Sequence, residues 1–376
     1  MVRCNLSALA GSLAIALVVG ACGGAQPTIS AADVGASPTP TAATSVRASP
    51  AAAPSSPATA TSTPTPTKAA SAAGMHNGRI AFGVRAADGT ANIFSVLPDG
   101  TDTRQLTTGS GNHLCAAYAA DGNQIAFCAD TSGTFEIWTM KPDGSKPTQL
   151  THLGGRALFP DLSRDGKKVA FGGVEGEDPN TEIYVVDAAS GKGLVALTSC
   201  KGLAQGCSND YPVWSPDGRS IVFIHTDDFD ANENPVNSQV WVMDADGGNG
   251  HALTTDSPMK DQVPDWSPDG SRIAYASGAG DSEGIWVMKA DGSMPHQLSG
   301  CLPGDASPCK AGSDFGPVWS PDGTRIAFLR SFHAIGTEDR PVYTMEADGS
   351  HQVRVLLGTI LAAVPAWQAR AAGEGD

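Results

Sequence analysis

A turn dipeptide followed by a short apolar segment recurs six times, and this repeat constrains the fold more than any other feature of the chain. Each dipeptide precedes a segment such as Ile-Ala-Phe or Ile-Val-Phe, and the six glycines are separated by 44, 44, 52, 52 and 53 residues. The dipeptides are Asn77-Gly78, Asp121-Gly122, Asp165-Gly166, Asp217-Gly218, Asp269-Gly270 and Asp322-Gly323. A repeat of roughly 45–50 residues indicates one small structural unit used six times.

Each unit reads as two β-hairpins. Three copies carry the full motif Trp-Ser-Pro-Asp-Gly, at residues 214–218, 266–270 and 319–323. Ser favours the first position of a tight turn, Pro fixes φ at the second, and Gly accepts the left-handed conformation at the end. A second apolar segment, such as residues 137–140, leads into another Asp-Gly turn, and a Leu-Thr strand such as Leu150-Thr151 follows. Each unit therefore predicts four antiparallel strands, A to D, which form one propeller blade.

The repeats resemble those of the TolB-like six-bladed β-propellers, the family of the Tol-Pal translocation protein B, and those of the propeller domains of prolyl oligopeptidases. The resemblance covers residues 77–368. It implies an all-β fold, a six-bladed β-propeller of four-stranded antiparallel blades. The first unit lacks strand A, and the Val-Pro-Ala-Trp-Gln segment at residues 364–368 matches a strand A without a following hairpin. We therefore expect this C-terminal strand to complete the first blade and close the ring.

The first 74 residues predict export rather than fold. Residues 1–21 contain one charge, Arg3, followed by an uncharged run, which is typical of a signal peptide. The run ends in Val-Gly-Ala-Cys, which resembles the lipobox of bacterial lipoproteins and assigns Cys22 as the lipid attachment residue. Ordinary secretion and an uncleaved anchor are the alternatives. Residues 22–74 are rich in Ala, Ser, Thr and Pro and predict a disordered tether. The propeller then occupies residues 75–368, and 369–376 form a flexible tail.

Six cysteines of the repeat region form three closely spaced pairs. Export favours disulfide formation, and the spacings differ from the Cys-x-x-Cys pairs of structural zinc sites. We predict local disulfides between neighbours, although fifteen pairings are formally possible. The predicted pairs are Cys115–Cys128, Cys200–Cys207 and Cys301–Cys309.

The loops divide into two sets that lie on opposite faces of the predicted ring. The A–B and C–D turns are short and uniform, whereas the B–C and D–A loops vary in length. Binding residues usually lie on variable loops carried by a rigid scaffold, so we predict the binding face on the B–C and D–A side. The candidate residues on this loop-bearing face are Glu175, Glu177, Asp178, Asp227, Asp228, Asp230 and Glu233.

One acidic loop has two interpretations. Asp228, Asp230 and Asn232 repeat the oxygen spacing that begins an EF-hand calcium loop. Glu233 stands where that loop needs Gly, and Gln239 stands where it needs an acid. We therefore expect a solvated acidic loop and no metal or cofactor, with a calcium site as the alternative.

Charge and motifs favour a binding function. The net charge of −15 disfavours nucleic-acid binding, and the zinc-protease and phosphate-loop motifs are absent from the sequence. We predict a monomeric, non-catalytic lipoprotein scaffold that faces the periplasm or the exterior. Its expected partner is an envelope protein, peptide or glycan on the loop-bearing face. The alternative is a metal-dependent lyase or hydrolase with its site in the channel, served by His113, His225 and His333.

Overall fold

The computed structural model describes residues 75–371 except 87, 202, 204–205, 230–234, 256–259, 280–281, 301–312, 332–339 and 357–363. Within these residues 24 strands form six blades of four antiparallel strands each. The predicted six-bladed propeller is confirmed. The predicted signal peptide, the predicted lipid attachment residue Cys22 and the predicted tether lie outside the described residues.

The strands follow each other blade by blade. Blade 1 contains β1 (Met75–Arg85), β2 (Ala91–Val96) and β3 (Arg104–Gln105). Blade 2 contains β4 (His113–Tyr118), β5 (Ile125–Ala129), β6 (Glu136–Met140) and β7 (Thr148–Gln149). Blade 3 contains β8 (Gly154–Leu162), β9 (Lys168–Glu175), β10 (Glu182–Asp187) and β11 (Val195–Ala196). Blade 4 contains β12 (Ser208–Trp214), β13 (Ser220–Phe229), β14 (Pro235–Asp244) and β15 (His251–Ala252).

The last two blades complete the ring. Blade 5 contains β16 (Lys260–Trp266), β17 (Arg272–Ala279), β18 (Ser282–Lys289) and β19 (His296–Gln297). Blade 6 contains β20 (Ser313–Trp319), β21 (Arg325–Ser331), β22 (Val342–Glu346) and β23 (Val353–Arg354). The chain then returns to blade 1 as β24 (Ala366–Ala371), the innermost strand of that blade.

The C-terminal strand closes the ring as the sequence predicts. β24 pairs antiparallel with β1, from Met75 opposite Ala371 to Ala81 opposite Ala366. The Gln368 side chain accepts a hydrogen bond from the Arg79 amide at 3.3 Å and donates one to the Gly122 carbonyl at 3.0 Å. These bonds join β24 to its own blade and to blade 2. The strand continues to Ala371, three residues into the segment that the sequence analysis assigns to the tail.

The core lies within and between the blades. One apolar residue of strand B is fully buried in every blade, and the Trp that four blades carry in strand A packs against the preceding blade. Trp214 of blade 4, for example, clusters with Ala170 and Ile183 of blade 3. Neighbouring blades therefore pack on each other through the repeated aromatic and Ile residues. The strand B residues are Ile80, Ile125, Val169, Ile221, Ile273 and Ile326.

The C–D turn of each blade packs on the blade before it. The turn glycine has a positive φ, and a Cβ in its place would collide with a main-chain carbonyl oxygen of the preceding blade. For Gly292 that oxygen belongs to Leu253, at 2.7 Å from the position a Cβ would take. Five of the six contacts involve the Leu of a Leu-Thr pair or its equivalent. The glycine and carbonyl pairs are Gly100 and Val355, Gly144 and Leu106, Gly191 and Leu150, Gly247 and Leu197, Gly292 and Leu253, and Gly349 and Leu298.

The assignment of Leu-Thr to strand D is wrong by two residues. In blade 2 the outer strand is Thr148–Gln149, and the Leu-Thr pair follows it. The Leu150 amide donates to the Ile137 carbonyl at 2.7 Å, and the Thr151 hydroxyl accepts from the Ile137 amide at 2.8 Å. The pair thus ends the sheet and presents the Leu carbonyl to the next blade.

Candidate ligand site in the central channel

The inner strands of the blades surround a cavity of about 400 Å³ in the central channel. Its wall runs from the middle of each strand A to the proline of the following Ser-Pro-Asp-Gly turn, such as Pro216 and Pro268. The cavity therefore occupies the half of the channel next to the short A–B turns, opposite the loop-bearing face. Most of the wall is apolar, with Tyr211, Val263 and Val364 as examples.

β-bulges shape the cavity wall in several of the described inner strands. In β4, β8, β12, β16 and β20 the register shifts, and one residue of each bulge has a positive φ. In four of these bulges the next residue is Pro, which has no amide to lose from the ladder and is tolerated at a bulge. The positive-φ residues are Cys115, Phe159, Tyr211, Val263 and Gly316.

Two aspartates interrupt the apolar wall at the same repeat position. Asp161 of blade 3 and Asp265 of blade 5 each follow the bulge proline. In the other blades this position is Ala or Val. Those residues are Ala117, Val213, Val318 and Ala366. Carboxylates therefore enter the cavity from alternate blades.

Main-chain amides hold both carboxylates in place. Asp161 Oδ2 accepts from the Trp214 amide at 2.8 Å, and Asp265 Oδ2 accepts from the Trp319 amide at 2.7 Å. Each carboxylate also accepts from the amide of the residue that follows it, Leu162 or Trp266. The channel-side edge of strand A has no neighbouring strand, so these carboxylates satisfy amides that the ladder leaves open.

Burial among the surrounding blades raises the pKa of both aspartates. Burial raises the pKa of Asp161 to about 7, although the hydrogen bonds from the Trp214 and Leu162 amides oppose the change. Burial raises the pKa of Asp265 to about 8, and the negative charge of Asp161 adds to the effect. Both side chains line an open cavity, but protein surrounds them closely enough to disfavour the charged form. Near neutral pH the pair therefore carries fewer than two negative charges.

Sequence reasoning did not find this pair, because it placed the binding residues on the variable loops and considered only histidines for the channel. The signal was present in the repeat: aligned copies place Pro-Asp at residues 160–161 and 264–265, where others have Pro-Val or Pro-Ala. An acid that appears in two of six otherwise apolar copies is not explained by the needs of the fold.

The predicted acidic residues of the loop-bearing face lie on neighbouring blades 3 and 4. Glu175 ends β9, and Glu177 and Asp178 follow it in an exposed turn, while Asp227 is exposed in β13. The Asp178 carboxylate accepts from the amide and the side chain of Asn180, both at 2.9 Å. These contacts order the turn without showing a ligand, so the binding face stays a prediction.

The calcium candidate is only partly described. Asp228 lies in β13 opposite Asn237 of β14, and Asp230, Asn232 and Glu233 lie outside the described residues. Strands β13 and β14 extend to Phe229 and Pro235, so Asp228 lies in a hairpin extension rather than in the predicted acidic loop.

Two of the three candidate histidines are described, and the aromatic rings that they contact lie within their own blades. His225 bonds Asn209 Oδ1 through Nδ1 at 2.8 Å and packs on the Trp241 ring at 4.5 Å. His113 is buried beside Phe127, and burial lowers its pKa. His333 lies outside the described residues. In the part of the chain that the structure covers, no group of three or more His, Cys, Asp or Glu is arranged to hold a metal ion.

Two of the three predicted disulfides are present. Cys115 bonds Cys128 with their Cα atoms 5.4 Å apart, and Cys200 bonds Cys207 with 5.3 Å. Cys115 is the bulge residue of β4, so Cys128 stands opposite Leu114 in the ladder rather than opposite its bonded partner. The pair Cys301–Cys309 lies outside the described residues.

No helix long and apolar enough to cross a membrane occurs among the described residues. The strands β1 to β24 account for the regular structure there.

Sequence comparison matches part of the propeller to a known family and to partial relatives. Residues 70–232 match the family model PD40, described as the TolB beta propeller domain. An uncharacterised peptidase of Bacillus subtilis, YuxL, is 39% identical over 74 residues, which are 20% of this chain and 10% of the peptidase. The uncharacterised protein Atu1656 of Agrobacterium fabrum is 30% identical over 159 residues, 40% of this chain and 47% of that protein. The chain thus spans less than half of each curated relative.

Structural comparison finds the same fold in solved structures. TolB from Acinetobacter baumannii superposes with a TM-score of 0.60 at 20% identity, covering 77% of this chain and 66% of that one. A putative TolB from Agrobacterium tumefaciens gives a TM-score of 0.59 at 18% identity, covering 79% and 98%. At these identities the likeness concerns the fold, and the family match rests on residues 70–232. The chain therefore carries a TolB-like six-bladed β-propeller.

Proposed function

We propose that this protein is a non-catalytic binding scaffold of the bacterial cell envelope that takes up a ligand in its central channel. The observation that supports the proposal is the channel cavity of about 400 Å³, an apolar pocket with two convergent carboxyl groups. Pockets of this size and composition are typical of small-molecule sites in proteins. An envelope protein, peptide or glycan is the proposed partner of the loop-bearing face.

The two carboxyl groups are held in a fixed orientation for binding, because Asp161 accepts the Trp214 amide and Asp265 accepts the Trp319 amide. A peptidase occurs among the relatives, but the match covers a tenth of that protein. We therefore do not carry its activity over to this chain.

Identification of a ligand that co-purifies with the full-length protein tests the binding proposal. We expect denaturation of protein purified from its native host to release a small molecule that mass spectrometry detects. The variant Val318→Trp, which fills the cavity from blade 6, should release none while melting as a folded protein. The proposal fails if wild type and variant release the same molecules, or if neither releases any.

The proposed membrane anchor is tested separately at the cysteines of the N-terminal segment. Lipidation of Cys22 would hold the protein on the membrane, because each buried CH₂ of an acyl chain contributes about 0.8 kcal/mol. Cys22→Ser should abolish labelling by an alkyne fatty acid and move the protein out of the membrane fraction. Cys4→Ser is the matched control and should keep both the label and the fractionation. Equal labelling of the two variants would disprove the anchor.

A further inference from the structure

We infer that the channel cavity binds a small organic cation, an ammonium or guanidinium group on an apolar body, with Asp161 and Asp265 as the two acidic contacts. The inference rests on the proposed function, because it names the ligand class of the same cavity. It depends on three features of the cavity: its acceptors, its charge balance and its walls.

The two carboxylates retain acceptor capacity after the main-chain bonds are made. An ionised carboxyl group offers about four lone-pair positions, and two amides approach each of these groups. Neither Asp161 nor Asp265 forms an ion pair within the described residues. A donor with several N–H groups, as an ammonium or guanidinium has, matches the remaining acceptors.

The charge balance of the cavity favours a cation over a neutral donor. Among the charged residues that line it, Asp121, Asp161 and Asp265 are acidic and Arg164 is basic. Arg164 lies in an exposed A–B turn at the rim, so it is solvated and leaves the two inner carboxyl groups to the ligand. Burial penalises both charges and raises both pKa values, and a bound cation would offset that penalty in place of a proton. The net charge of −15 attracts cations to the molecule.

The walls of the cavity select the rest of the ligand. Phe159 and Tyr211 stack with their ring centroids 3.9 Å apart, and Val263 and Val364 extend the apolar surface. Burying apolar ligand surface there contributes about 25 cal/mol per Å². A heavily hydrated ion such as Na⁺ gains nothing from such a wall, whereas a cation with an aromatic or aliphatic body gains from both parts of the site.

Calorimetry with benzylammonium and benzyl alcohol tests the inference, because the two probes share the ring and differ in charge. With the full-length protein at pH 8 we expect benzylammonium to bind at least tenfold more tightly than the alcohol. The double variant Asp161→Asn, Asp265→Asn should lose this preference. Asp143→Asn, which removes an exposed carboxylate in a C–D turn outside the cavity lining, should keep it. Val318→Asp adds a third carboxylate at the same ring position and should strengthen benzylammonium binding.

Proton release gives a second measurement that does not depend on a variant. Because a bound cation favours ionised carboxyl groups, benzylammonium should release protons at pH 7, seen as a heat that changes with the ionisation enthalpy of the buffer. Benzyl alcohol should release none. The titratable and charged groups that line the cavity are Tyr118, Asp121, Asp161, Arg164, Tyr211 and Asp265.

Each result decides between the two proposals. Equal affinities for the two probes, or an unchanged preference in the double Asn variant, overturn the cation inference and leave the cavity as a ligand site. If neither probe binds, the cation inference also falls, and the co-purified ligand then decides the proposed function. If the double variant does not fold, the comparison of the two probes on the wild-type protein still decides.

Discussion

The contact between a C–D turn glycine and the preceding blade yields a sharp prediction about stability. Gly292 has a φ of +80°, and a Cβ there would lie 2.7 Å from the Leu253 carbonyl oxygen. Gly166, in an A–B turn, has a φ of +67° and no heavy atom within 4 Å of the position a Cβ would take. Gly292→Ala and Gly166→Ala therefore share the backbone cost of an L-residue at positive φ and differ in the collision.

The magnitudes follow from these two contributions. A left-handed alanine costs roughly 1–2 kcal/mol in either turn. Relief of the collision requires the two blades to separate locally, and comparable overpacking costs about 1–3 kcal/mol more. We expect Gly292→Ala to lose about 2–5 kcal/mol and Gly166→Ala to lose about 1–2 kcal/mol. At roughly 2–4 °C per kcal/mol for a large domain, the first variant should melt several degrees below the second.

Thermal melting followed by circular dichroism, with urea unfolding as a second measurement, checks the difference. Both variants should keep the wild-type far-ultraviolet spectrum, because neither change removes a ladder hydrogen bond. If the two variants melt at the same temperature, the collision contributes nothing. The conclusion that the C–D turn stabilises the contact between neighbouring blades would then be wrong.

Three further predictions address the channel, the closure and the disulfides. The folded protein holds protons on Asp161 and Asp265 that the unfolded chain releases above about pH 4, so their contribution to stability falls as pH rises to about 8. Replacing both by Asn should remove this loss, on the order of 4–5 kcal/mol per group between pH 4 and 8, as measured by urea unfolding across that range. Deleting residues 365–376 removes β24 and should lower the melting temperature of the whole ring; a truncated protein that melts like the intact one would refute the closure. Removing the Cys115–Cys128 bridge with paired Ser substitutions should cost about 3 kcal/mol in urea, and an unchanged midpoint would contradict this expectation.

Much of the fold is predictable from the sequence because every blade repeats the same local chemistry. The Ser-Pro-Asp-Gly turns lie where their residue types predict them, and β24 fills the place that the first unit leaves open. Two disulfides were predictable from the spacing of the cysteines together with the predicted export. These features depend on local geometry or on counting strands, both of which a sequence displays directly.

Contacts between blades are less visible in the sequence. Leu-Thr looks like a strand because both residues suit a sheet, yet Leu150 and Thr151 end the sheet and present a carbonyl to Gly191 of the next blade. The bulge at Phe159 is hidden for a similar reason, since Phe-Pro reads as an ordinary strand end rather than as a left-handed residue before a proline. Both features depend on which chain segment packs against the strand. The hydrophobic period of the sequence and the propensities of its residues do not specify that segment.

The repeat itself separates what the ring needs from what its channel can bind. Every blade must provide a turn glycine, a Leu or Val carbonyl and a buried apolar residue at the start of strand B, because each blade makes the same two contacts with its neighbours. The position after the bulge carries no such demand, since Ala117 and Val213 occupy it without an acid and their blades still join the ring. Asp161 and Asp265 bear a burial penalty that the fold does not require at this position. A bound cation would offset the cost of burying the two charged carboxylates. Replacing both acids by Asn should therefore stabilise the ligand-free protein at pH 8 and abolish its preference for benzylammonium.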